Sequence, residues 1–125
     1  MNVILLDTNI VSFALKGDSR VNEYAPYLQG KRLAISFMTV AELYQWAFVR
    51  KWGPRRVKQL EQTLMTTYTV LAFDGVLCQK WGEIRAIRRT MGRPISSQDA
   101  WVAATALQYG LPLITHSLEI ITTAT

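Results

Sequence analysis

A chain of 125 residues is long enough to bury one core and short for two. Half of its residues are hydrophobic and 18% are charged, which excludes a disordered chain; the formal charge of +5 and a pI near 9.7 favour an anionic partner, whether nucleic acid, acidic protein or membrane surface. The single cysteine, Cys78, excludes an intramolecular disulfide and a cysteine-rich zinc site, and no apolar run approaches the roughly 20 residues of a membrane span. The first apolar run is too short for a secretory signal and follows no basic segment. The expected setting is therefore soluble, reducing and cytoplasmic, with no membrane partner and one domain over residues 1–125.

In chain order, Val3-Ile4-Leu5-Leu6 reads as a strand buried on both faces, ended by Asp7. Ile10 to Leu15 follow at helical spacing, with Gly17 as C-cap. Val21, Tyr24, Ala25 and Leu28 predict a second helix, capped by Asp18 or Ser19. Leu33 to Phe37 is the second strand, and Thr39 to Glu42 opens a helix that ends near Trp52-Gly53-Pro54. Pro54 fits the first turn of the next helix. Tyr68 to Phe73 is the third strand, after which Asp74 caps a long helix with a stripe of Leu77, Trp81, Ile84, Ile87 and Met91. Gly92-Arg93-Pro94 breaks the chain. Ser96 to Asp99 starts an alanine-rich helix ended by Gly110, and Leu113-Ile114-Thr115 is a fourth strand. The tail from Ile120 is a fifth strand or a frayed end. Strands alternating with helices predict an α/β fold: a mostly parallel sheet of four to five strands flanked by helices.

Three acids fall at related places. Asp7 ends a strand, Glu42 lies in the first turn of the helix after the second strand, and Asp99 starts the helix before the fourth. Strand carboxyl ends and the helix starts that follow them share one rim in right-handed crossovers, and ligands bind there. Asp99 joins Asp7 and Glu42 on that rim if its helix feeds a strand parallel to the first. Clustered carboxylates raise one another's pKa unless a cation compensates, and oxygen ligation suits Mg²⁺ or Mn²⁺. Such a cation lowers the pKa of a bound water and neutralises charge on a phosphate; two-metal sites place the pair about 4 Å apart. Structural alternatives stand beside this. Thr39-x-x-Glu42 and Ser96-x-x-Asp99 both match capping boxes, and Asp7 can form an Asx-turn with Thr8 and Asn9. Capping explains Asp7 least.

The segments Leu5-Leu6-Asp7-Thr8-Asn9-Ile10-Val11-Ser12, Ile35-Ser36-Phe37-Met38-Thr39-Val40-Ala41-Glu42-Leu43, Val70-Leu71-Ala72-Phe73-Asp74, Asp99-Ala100-Trp101-Val102-Ala103-Ala104-Thr105-Ala106 and Leu113-Ile114-Thr115-His116 occur in that order over nearly the whole chain. Together they resemble the PIN-domain ribonucleases, most closely the VapC-type toxins of bacterial toxin–antitoxin pairs. The resemblance implies a PIN-like three-layer fold, Mg²⁺- or Mn²⁺-dependent endonucleolytic cleavage of RNA, a small antitoxin as partner, and a homodimer. By position it makes Asp7, Glu42 and Asp99 the metal-binding acids, with Thr8 and Asn9 supporting Asp7 and the metal-bound waters and Thr39 among the supporting residues.

The chain departs from the family pattern after the fourth strand. Ser117 stands where an acid or Asn is common, and Ile120 and Ile121 replace an Asp-Phe pair. Ser117 is a candidate to hold a metal through water, and Glu119 lies nearby. A catalytically weakened member that works by binding antitoxin or RNA is the alternative reading. A phosphatase with Asp7 as nucleophile fits less well, because no second Asp follows at the required spacing. Basic residues cluster around Trp52-Gly53-Pro54 (Arg50, Lys51, Arg55, Arg56, Lys58) and along the polar side of the long helix (Lys80, Arg85, Arg88, Arg89, Arg93). Arg93, Arg89 and Arg55 are the candidates for the RNA backbone. Trp46 and Trp52 belong either to an antitoxin groove or to the core. His116, the only histidine, is not needed by a metal-dependent mechanism.

Overall fold

Four short strands, Val3–Leu6 (β1), Arg32–Ser36 (β2), Thr69–Leu71 (β3) and Leu113–Ile114 (β4), pair in the order β3-β2-β1-β4, every pairing parallel. The computed structural model describes residues 2–115. The expected fifth strand, with His116, Ser117 and Glu119, lies outside the described residues. Parallel pairing requires long crossovers, and helices supply them. Thr8–Lys16 (α1), a 3₁₀ turn at Ser19–Glu23 and Ala25–Leu28 (α2) join β1 to β2. Phe37–Val49 (α3) and Pro54–Thr67 (α4) join β2 to β3, and Gly75–Thr90 (α5) and Ser97–Tyr109 (α6) join β3 to β4.

Side chains alternate across the sheet and so feed two cores. Leu5 and Ala34 pack on one face with Leu77, Ile84 and the alanines of α6. Ile4, Leu6 and Ile35 pack on the other with Ile10, Val11, Leu43, Leu60 and Leu64. Leu5 is fully buried and Leu6 nearly so; burying each such side chain contributes about 1.5–3 kcal/mol. Ala100, Ala103 and Ala104 are fully buried, which is why α6 carries small residues where it meets the sheet.

Some expectations are corrected. The segment expected as one helix over residues 18–28 breaks in two, because Pro26 lacks an N–H and its ring clashes with the carbonyl four residues back. Phe37 begins α3 and does not end β2, since Ser36 accepts a hydrogen bond from the Met38 N–H and caps the helix. The third strand is shorter than residues 68–73, covering only Thr69–Leu71. On α5, Ile87 and Met91 are exposed and Arg88 is buried at 5%. At about 100° per residue, Arg88 lies only some 20° from Leu77 around the helix, whereas Ile87 lies some 80° away. Arg88 therefore does not line the solvated side. Its Nε donates to the carbonyl of Arg93 at 2.7 Å, and the Arg93 N–H donates back to the Arg88 carbonyl at 2.9 Å, which pins the loop leading to α6.

Candidate active site

Leu6 pairs with Ile35 on one side and with Ile114 on the other. Asp7, Ser36 and Thr115 therefore leave the sheet side by side at its carboxyl edge. Asp7 is 2% exposed. Its Oδ1 accepts the Ile10 N–H at 3.1 Å, its Oδ2 accepts the Thr115 hydroxyl in a short hydrogen bond, and its own N–H donates to Ile114 at 3.1 Å. Asp7 is thus the N-cap of α1, contrary to the expectation that capping explains it least.

Glu42 is not a capping residue. With Ser36 as the cap, Glu42 sits in the second turn of α3 and not in the first. The Thr8 hydroxyl donates to Glu42 Oε1 at 2.8 Å and lies 3.0 Å from the Thr39 hydroxyl. A hydroxyl has one proton, so Thr39 donates to Thr8 and Thr8 to Glu42. This relay ties α1 to α3. It places Thr8 and the fully buried Thr39 as supports of Glu42, whereas the expectation attached Thr8 to Asp7. Asn9 is exposed and lines the same groove as Glu42.

Asp99 lies in the first turn of α6, where its N–H donates to the Ser96 hydroxyl at 3.0 Å. That is the cap half of the Ser96-x-x-Asp99 box. The parallel β4 after α6 brings the start of α6 to the rim, as required. The field at Glu42 reports the grouping. Burial pushes its carboxyl above the ordinary 4.5; the Thr8 hydrogen bond opposes this, and the charges of Asp99 and then Asp7 push it further up. Among the described residues, no three Asp, Glu, His or Cys side chains stand close enough to wrap a metal by themselves. The rim is an open, all-oxygen arrangement. It suits a hard divalent cation that keeps several waters and takes one or two carboxylates, and that cation would relieve the repulsion at Glu42.

Of the basic candidates, Arg89 lines a groove of about 650 Å³ with Trp81, Arg85, Pro94 and Ile95, on the loop that leads to Asp99. Arg93 is exposed on that same loop. Arg55 is exposed at the start of α4, but its neighbour Arg56 is the one that lies over Trp52, 3.9 Å from the ring centre. Thr115 escaped sequence reasoning. Its signal was there: a hydroxyl directly after a strand that the parallel register sets beside Asp7.

A PIN domain family model matches residues 4–119, and the chain belongs to that family. It is 30% identical over 119 residues to Ribonuclease VapC1 of Haemophilus influenzae (strain R2866), covering 94% of this chain and 88% of the relative. It is 31% identical over 121 residues to Toxin FitB of Neisseria gonorrhoeae (strain ATCC 700825 / FA 1090), covering 91% and 87%. The structure of VapBC-1 from nontypeable Haemophilus influenzae superposes with a TM-score of 0.78 at 28% identity, over 97% of this chain and 91% of that one.

Proposed function

We propose that Asp7, Glu42 and Asp99 together hold Mg²⁺ or Mn²⁺, in part through its bound waters, and that the chain uses this rim to hydrolyse RNA phosphodiester bonds. The protein is an endoribonuclease of the VapC type, the toxin of a toxin–antitoxin pair, and its partners are RNA and a small antitoxin. The similarity to a named ribonuclease, a named toxin and VapBC-1 supports that assignment. A divalent metal goes with the family. The cytoplasm, where RNA is found, is the proposed compartment, and no helix among the described residues is long and apolar enough to cross a membrane. A homodimer is part of the same reading.

One observation carries the site: the parallel register sets Asp7 at the carboxyl edge of the sheet, Thr8 ties the half-buried Glu42 to the same edge, and α6 starts there with Asp99, so that like charges are gathered on one rim. Such repulsion is unfavourable without a cation. A bound divalent cation supplies a water of lowered pKa and neutralises charge on the phosphate. The chain's own residues orient. Ile10 and Thr115 fix the two oxygens of Asp7, and the Thr39–Thr8 relay fixes one oxygen of Glu42. Asn9, exposed on the same groove, supports the bound waters, and Ser117 is proposed to reach the cation through one of them. The test is incubation of purified chain with RNA, with Mg²⁺ or Mn²⁺ and with EDTA. Cleavage that EDTA stops is expected; no cleavage with either metal would overturn the ribonuclease assignment.

A further inference from the structure

From Glu42 a shallow groove of about 290 Å³ runs between α1 and α3, with Thr8, Ser12 and Trp46 among its walls. Trp46 also lines the next depression, of about 600 Å³, together with Lys16, Arg50, Trp52 and Arg56. The same two helices run through both ends, and Trp52 and Arg56, from the α3–α4 turn and α4, close the second. Thr8, Ser12 and Lys16 stand at i, i+4 and i+8 on α1; Glu42, Trp46 and the C-cap Arg50 stand at i, i+4 and i+8 on α3. Eight residues of helix rise about 12 Å. The groove thus leads from an acidic rim to a cationic end.

The cations at that end are held in place. Lys16 Nζ lies 5.0 Å, and the Arg50 guanidinium 4.8 Å, from the centre of the Trp46 ring; Arg56 lies over Trp52. The two indoles meet edge to face at 5.0 Å. Cation–π contacts fix the positions of the charges without neutralising them. Among the described residues none of the three cations forms an ion pair, and no carboxylate lines the depression. Three positive charges make a site for a group with several anionic oxygens.

We infer that this depression is a phosphate subsite for single-stranded RNA whose scissile phosphate lies at the rim. The strand then runs down the α1–α3 groove, and a flanking phosphate is held by Lys16, Arg50 and Arg56. This inference rests on the ribonuclease reading. An acidic segment of a protein partner meets the same three cations, but nothing ties such a segment to the rim at the groove's other end. A phosphodiester chain that is anchored at the rim has a reason to follow the whole groove.

The test measures binding of a fluorescein-labelled single-stranded RNA of mixed sequence by anisotropy in a salt titration with Mg²⁺, in an Asp7→Asn background so that the probe is not cut. Each phosphate contact contributes about 0.7 to the log–log salt slope of a single strand, so Arg50→Gln/Arg56→Gln is expected to flatten the slope by about 0.7–1.4 and to weaken binding about tenfold. In the chain with Asp7 intact, the same pair should raise KM by a similar factor, the loss falling on KM and not on kcat. Lys16→Gln, on the other helix, should flatten the slope by about half as much. An unchanged slope and KM in both variants would overturn the subsite. So would loss of antitoxin binding with RNA binding intact, which would give the depression to the protein partner. A chain with Asp7 that cuts no RNA fails the ribonuclease reading itself, a result distinct from either.

Discussion

The two ends of the α1–α3 groove use the same helices eight residues apart and hold opposite charges in different ways. At the rim, carboxylates are held by hydrogen bonds from hydroxyls and an N–H, and Asp7 is almost wholly withdrawn from water. At the far end, cations stay exposed and lie on indole faces. Buried like charges are governed by what neutralises them. Exposed cations are governed by the salt around them. The rim should therefore respond to divalent metal and to loss of a single hydrogen bond, and the far end mainly to ionic strength.

The sharpest break is at Asp7. Asp7→Asn keeps an oxygen to cap Ile10, so the melting temperature should move by no more than about 4 °C, the shift that goes with about 1 kcal/mol. Cleavage should fall by about 10³ or more, as when one group that stabilises developing charge is removed. Cleavage at wild-type rate would remove Asp7 from the chemistry. Next comes Thr8→Val. It leaves Glu42 Oε1 without its hydroxyl donor, which should destabilise the fold by about 1–3 kcal/mol and slow cleavage about 10–100-fold, read from denaturant melts and initial rates. Thr8→Ser should retain most of both, because it keeps the hydroxyl.

Metal has a smaller effect on stability. Mn²⁺ or Mg²⁺ at about 100 times its Kd should stabilise the fold by about 2.7 kcal/mol, seen as a raised melting temperature, and Glu42→Gln should reduce that rise. The metal-free chain should also depend on pH through Glu42. Its carboxyl is raised in the folded state above the ordinary 4.5, so the folded chain binds this proton more tightly than the unfolded chain does. Its contribution is present below 4.5 and is lost as pH rises through the folded value. Stability without metal should fall over that window, and Glu42→Gln should flatten the fall. The smallest effect belongs to the exposed Asp18–Arg20 pair at 2.7 Å. Arg20 lowers the Asp18 carboxyl to about 2, so this contribution is present above 3.8 and fades as pH drops toward about 2. Asp18→Asn should move the acid limb of the melting profile slightly and leave cleavage alone.

The parallel α/β order, and the place of three acids along one edge of the sheet, were legible because strands that stop at polar residues mark the carboxyl edge. Local spacing misled where tertiary partners decided. Thr39-x-x-Glu42 looked like a capping box, yet Ser36 took the cap, and Thr39 bonds instead to Thr8, 31 positions away in the chain. Asp7 looked free of capping and is a cap, because one carboxylate has enough oxygens to serve Ile10 and Thr115 together. Arg88 looked like one of many solvated arginines; the helical period sets it some 20° from Leu77, on the buried side, and the bond to the Arg93 carbonyl satisfies it there. The cationic end of the groove was visible only as scattered basic residues, since Lys16 and Arg50 meet over Trp46 only after α1 and α3 pack.

β1 is made before the other three strands and sits in the middle of the sheet, but one of its neighbours is β4, more than 100 residues later. Asp7 gains the Thr115 hydroxyl only when that strand docks, a closure 108 positions long. Chains leave the ribosome at about 5–20 residues per second, and contacts this distant form last. A growing chain therefore carries α1 and α3 for several seconds before the rim around Asp7 is complete. For a nuclease made on an RNA template, the strand order works as a timing device: the cutting edge is assembled only after the 108 positions from Asp7 to Thr115 have been translated.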